Sequence, residues 1–266
     1  MAEPEEEIVN EPDPNDPTSD WISKDWGPGD DPNPTIEFGA DEGLDEARKQ
    51  VGYNSDASRE RALQTLSATE RTDETNILHD SILRQQVDIL VGYNSDASRE
   101  RAMKYLNEHR FRTMDAAVSA SELYDQIIET QLGIYIGYNS DASRERALTY
   151  LDSTPPRLGS TVERFKDTHD DILVNQADIY FGYNSDASRE RTLKYLDEHQ
   201  PRTQSGKTRM DELYDRTIVA QIETYKGYGS AASRERALGY IQSVTPRTSA
   251  GLSKVQTLQA EIEAQL

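Results

Sequence analysis

An all-α fold of tandem helical hairpins, each about 45 residues long and stacked as a solenoid or laid along a partner, is predicted by three features of the sequence. The first is a repeat: a decamer Gly-Tyr-Asn-Ser-Asp-Ala-Ser-Arg-Glu-Arg begins at Gly52, Gly92, Gly137 and Gly182 and returns in altered form at Gly227. Its spacings of 40, 45, 45 and 45 residues are those of stacked supersecondary units. The second is helical periodicity between the decamers, as in Ala120, Tyr124, Ile127, Ile128, Gln131, Ile134 and Tyr135, mostly three and four apart. The third is composition: 266 residues of which only 35% are hydrophobic and 29% charged, a lean supply for a thick core.

Residues 1–39 read as a disordered tail, with seven of the eleven prolines, twelve acidic residues and Lys24 as the only base. Both tryptophans, Trp21 and Trp26, lie there, although large aromatic rings are scarce in solvated tails. They are read either as a docking motif for a partner or as a cover for an open end of the repeat array. A short lead-in helix is expected over 40–51, then five hairpins at 52–91, 92–136, 137–181, 182–226 and 227–266. In each, the glycine of the decamer is expected to end a long helix in the left-handed conformation, the tyrosine to anchor the turn, and the Asn-Ser-Asp run to cap a short second helix. That helix ends at breaks such as Pro155-Pro156, Pro201 and Pro246, followed by Arg157, Arg202 and Arg247.

Overlaying the copies gives two further regularities. Gln86, Gln131, Gln176 and Gln221 form a column on the apolar stripe, where an amide fixes register between helices by hydrogen bonding. Alternate copies also resemble each other: His79-Asp80 returns as His169-Asp170, Leu123-Tyr124-Asp125 as Leu213-Tyr214-Asp215, and Glu108-His109 as Glu198-His199. This pattern either records a duplicated pair of hairpins or matches a partner with alternating subunits.

Within the decamer, Asn54 and Asp56, with Asn94, Asp96, Asn139, Asp141, Asn184 and Asp186, are assigned to contacts between hairpins, because the fifth copy replaces them with Gly229 and Ala231. The arginines Arg59, Arg61, Arg99, Arg101, Arg144, Arg146, Arg189, Arg191, Arg234 and Arg236 are assigned, with Trp21 and Trp26, to charge-assisted partner contacts.

Functional classes follow from what is present and missing. The net charge of −20 argues against a nucleic-acid binder, and the absence of cysteine removes a disulfide framework and a thiolate metal site. No phosphate-cradling loop, nucleophile elbow or metalloprotease motif occurs, so neither catalysis nor a cofactor or metal is expected. No apolar run approaches the roughly 20 residues of a membrane span, and a soluble, cytoplasmic protein is expected. The functional expectation is a non-catalytic scaffold or linker that spaces copies of a partner assembly with repeated subunits. The alternative is an acidic decoy for a basic protein or nucleic-acid-binding surface.

Overall fold

In the computed structural model, residues 37–266 are described. Among them are eleven α-helices and no strand: α1 (Ala40–Val51), α2 (Asp56–Ser67), α3 (Asp73–Gly92), α4 (Asp96–Glu108), α5 (Met114–Gly137), α6 (Asp141–Ser153), α7 (Gly159–Gly182), α8 (Asp186–Glu198), α9 (Gln204–Gly227), α10 (Ala231–Ser243) and α11 (Ser249–Glu263). An isolated bridge joins Phe38 to Thr69. Trp21 and Trp26 lie outside the described residues, as does nearly all of the segment read as a tail.

Long and short helices alternate because the sequence punctuates them. Each short helix opens on a serine of the decamer whose hydroxyl accepts from the backbone three residues on. Ser55 accepts from the Ser58 N–H at 3.2 Å while the Ser58 hydroxyl accepts from the Ser55 N–H at 3.0 Å, and the box recurs at Ser95, Ser140, Ser185 and Ser230. Four long helices begin on a threonine, Thr72, Thr113, Thr203 and Thr248, whose hydroxyl likewise accepts from the first turn.

The chain forms two compact units, Met1–Ile134 with Thr154–Val162, and Tyr135–Ser153 with Glu163–Leu266. In the first, α3 packs against α1, α2 and α4, and Ile82, Leu83 and Val87 are fully or almost fully buried. In the second, α9 packs against α8, α10 and α11 around a core of Ile218, Ile222, Tyr225, Ala237, Val255, Leu258 and Ile262. A long helix thus meets its own short helices and the neighbouring long one, and this removes from water the apolar stripe that a lone hairpin exposes.

Two sequence expectations are corrected at the turn. Gly52 lies in the right-handed helical region at φ −57°, and Gly92, Gly137, Gly182 and Gly227 are the last residues of their helices. The left-handed residue is the asparagine two positions later: Asn54, Asn94, Asn139 and Asn184 have φ of 48–49°. Asparagine tolerates that region better than other side-chain-bearing residues, and glycine tolerates it best. Gly229, at φ 70° in the fifth copy, therefore keeps the same bend with a different residue. The tyrosine does not anchor the turn; Tyr53, Tyr93, Tyr138, Tyr183 and Tyr228 are 64–70% exposed.

Candidate protein-binding surface of the decamer turns

The decamer sorts into an inward and an outward set. Arg59 is buried and spends its guanidinium inside the chain: Nε donates to Gln86 Oε1 at 2.5 Å, Nη1 to Asn54 Oδ1 at 3.1 Å and Nη2 to Asp56 Oδ1 at 2.6 Å. Arg99 does the same with Gln131, Asn94 and Asp96, and Arg189 with Gln221, Asn184 and Asp186. Arg144 pairs with Gln176, Asn139 and Asp141. A planar fork with five donors suits this task, tying the turn to the short helix that follows and to the next long helix. The four glutamines are buried on α3, α5, α7 and α9, where each receives this arginine. In the second unit Gln176 and Gln221 also donate to Asp141 and Asp186 at 3.1 Å, and these amide bonds, followed by the arginine contacts, hold both carboxyls below the ordinary aspartate range.

These arginines are thus withdrawn from the surface that sequence reasoning gave them, because the chain itself supplies every acceptor. The asparagines likewise serve their own turn rather than the next hairpin. Two aspartates do both: Asp141 Oδ2 accepts from Arg191 of the following decamer at 3.1 Å, and Asp186 lies 3.9 Å from Arg236. The fifth copy, with Gly229 and Ala231, has lost both oxygen acceptors of the turn. Arg234 is only partly buried there, donates from Nη1 to the Gln265 carbonyl, and has no hydrogen-bond partner at Nε.

The outward set is tyrosine, glutamate and the second arginine. Glu60, Arg61 and their counterparts are exposed in all five copies. In the second unit the arginine lies over a long-helix tyrosine: Arg146 is 5.5 Å from the Tyr135 ring, Arg191 3.7 Å from Tyr180 and Arg236 4.2 Å from Tyr225. Each turn therefore shows solvent one aromatic ring, one guanidinium and the glutamate carboxylate, with the decamer aspartate half-exposed beside them in the first four copies. Of these, the tyrosine ring is the large apolar group left uncovered.

A second set of residues escaped the sequence reading. Asp80, Asp125, Asp170 and Asp215 stand twelve positions before the helix-closing glycines, and all four are buried. Each reaches the start of the following long helix. Asp80 accepts from the Arg112 and Thr113 N–H groups and the Thr113 hydroxyl, all at 2.8 Å. Asp170 does so with Arg202 and Thr203 at 2.7–2.8 Å, and Asp215 with Arg247 and Thr248 at 2.6–2.8 Å. Asp125 accepts from the Arg157 and Leu158 N–H groups at 2.7 and 3.1 Å. A carboxylate has acceptor sites enough for all of these bonds and complements the positive end of the helix it caps. At Gly206 and Gly251 a Cβ would fall inside the carboxylates of Asp170 and Asp215, so glycine makes room for these two clasps, whereas Ala116 and Thr161 hold the corresponding place in the other two. The arginine after the break reaches back to the end of an earlier short helix, Arg112 to the Leu66 carbonyl and Arg157 to the Leu106 carbonyl, both at 3.2 Å.

Two of the three alternating motifs lie at this clasp. Where histidine precedes the aspartate, His79 and His169 place Nδ1 3.0 Å from the Oδ1 of Asp80 and Asp170. Where tyrosine precedes it, the arginine after the break stacks on that ring, Arg157 on Tyr124 at 4.0 Å and Arg247 on Tyr214 at 3.7 Å. Burial lowers the basicity of His79 and His169. Burial also pulls the Asp80 and Asp170 carboxyls upward, but the hydrogen bonds they accept outweigh it and both titrate below the ordinary aspartate value. His109 and His199 stack on Tyr105 and Tyr195 with centroids 4.0 Å apart. Among the described residues no group of three His, Asp or Glu is placed to hold a metal ion, and no helix is long and apolar enough to cross a membrane.

No protein-family model and no curated protein matches the chain. Among solved structures it is similar to one titled DHF119 filament, at 14% identity over 85% of this chain and 92% of that one, with a TM-score of 0.14, a likeness too slight to bear on fold or function.

Proposed function

We infer that the chain is a non-catalytic scaffold or linker whose stacked hairpins present the same turn several times to a protein assembly with repeated subunits. The carrying observation is the tyrosine. It is identical in all five copies and 64–70% exposed in each, whereas the asparagine, both serines and the first arginine beside it are explained by turn geometry, capping and internal hydrogen bonds. Repetition of an uncovered aromatic ring has no counterpart in the demands of the fold. Tyrosine is also enriched at protein interfaces, where its ring is buried and its hydroxyl stays paired. Five such contacts on one chain raise overall affinity through effective concentration even when each is weak.

The test replaces the five tyrosines by serine in the full chain and uses intact and altered chains to capture partners from the native source. A captured protein is then titrated against chains retaining five, three or one tyrosine. Bound subunits per chain are expected to fall in step with the tyrosines. Binding that ignores the tyrosines and collapses between low and moderate ionic strength would instead identify an acidic decoy.

A further inference from the structure

One pair of long helices breaks the pattern of the others. Ile77 on α3 occupies a column held elsewhere by Glu122, Asp167 and Glu212. Val118 on α5 stands where Glu163, Thr208 and Ser253 stand, and Met114 where Gly159, Gln204 and Ser249 stand. Phe111, just before α5, replaces the prolines Pro156, Pro201 and Pro246. Ile77, Met114 and Val118 are 61, 51 and 42% exposed, at positions where the sister copies are satisfied by polar residues or glycine. Between α3 and α5 runs a groove of about 520 Å³ walled by Ile77, Phe111, Ala116 and Ser119 and edged by Asp73, Asp115 and Arg84, the last already paired with Asp88. Met114 and Val118 immediately precede Asp115 and Ser119 on the same helix and flank the groove without lining it. A local switch from polar to apolar, at this groove and on the stretch of α5 beside it, marks a surface made to be covered.

We propose that the segment around Trp21 and Trp26 of the same chain covers it. The chain enters the described structure beside this groove. The Glu37 N–H donates to the Ala68 carbonyl at 2.8 Å and the Glu70 N–H to the Phe38 carbonyl at 3.3 Å, three residues before α3 begins. Ile77 is one turn into that helix. Phe38 stands twelve positions after Trp26, an extended reach of about 40 Å, several times the ~6 Å that one helical turn advances toward Ile77. Residues 1–36 contain both tryptophans of the chain, five positions apart, with Lys24 between them as the one cation to meet Asp73 or Asp115. The rest of the tail is acidic, as is the chain as a whole, so apolar contact rather than charge attraction drives the docking. Added salt, which screens that repulsion, strengthens it.

Because the chain has only these two tryptophans, its indole fluorescence reports on this segment alone. The experiment compares emission maximum and acrylamide quenching in the intact protein, in Ile77→Glu and Val118→Glu variants, and in a free peptide of residues 1–36. Each substitution installs a residue that a sister copy already carries, and far-UV circular dichroism checks folding; Met114→Gln replaces any variant that fails. The intact protein is expected to emit to the blue of the peptide, to be quenched several-fold less, and to keep both properties on dilution. Each variant moves toward the peptide. Peptide-like emission from the intact protein overturns the proposal, and so does shielding that survives the variants. Shielding lost on dilution assigns the groove to the tail of a second copy and overturns docking within one chain.

Discussion

The asparagine of the decamer does two jobs at one position, and its substitutions separate them. It adopts φ near 48° and its side chain accepts from the buried arginine five residues on. Asn139→Gly keeps the bend and loses the hydrogen bond, whereas Asn139→Ala loses the bond and still holds a Cβ in a left-handed backbone. The alanine variant is therefore expected to be less stable than the glycine variant by about 1 kcal/mol or more, read from urea midpoints. Gln131→Leu copies at an internal position what Leu266 brings to the fifth hairpin, and leaves the Arg99 Nε buried without its acceptor. A loss of about 1–3 kcal/mol is expected, and a loss near zero would show that the arginine is carried by Asn94 and Asp96 alone.

At the scale of the helix, the buried aspartate is the joint between one long helix and the next. Asp170→Ala removes the acceptor of two N–H groups and a hydroxyl at the start of α9. A cost of about 2–4 kcal/mol is expected, together with loss of hydrogen-exchange protection at Arg202 and Thr203. Loss of protection spread evenly over the whole unit would contradict a local joint. Much of this architecture was legible beforehand. The apolar spacing of Ala120, Tyr124, Ile127 and Ile128 announced a long helix, and the serine of the decamer announced the cap, because both depend on local chemistry. The clasp was hidden because its partners lie 32 and 33 residues apart and an aspartate among 49 acidic residues carries no label. Its only trace was the recurrence twelve positions before each glycine, visible as two alternating doublets rather than one column. The left-handed residue was misplaced by two positions because glycine is the commoner choice there, and Gly229 alone betrays the site.

Across the whole molecule, the histidine-bearing clasps make stability depend on pH in both units, His79 in one and His169 in the other. The groups facing His79 are Asp80, Arg112 and His109, and those facing His169 are Asp170, Arg202 and Asp152. Burial holds both imidazoles below their ordinary value, so the unfolded chain binds protons that the folded chain refuses. Stability is then level above about pH 7 and falls as pH drops through about 6.5. A second loss follows below about pH 4, where unfolded aspartates protonate while Asp80 and Asp170 resist. Melting followed from pH 8 to pH 3 checks both steps, and His79→Gln with His169→Gln is expected to flatten the first. The clasp column also acts as a rule of grammar. Asp80, Asp125, Asp170 and Asp215 each hold the hairpin that comes after, while the fifth copy has Ala260 at that place. A spare 45-residue module spliced in before Gly227 would bring its own joint and lengthen the sentence, whereas one appended behind α11 would find no conjunction to attach it.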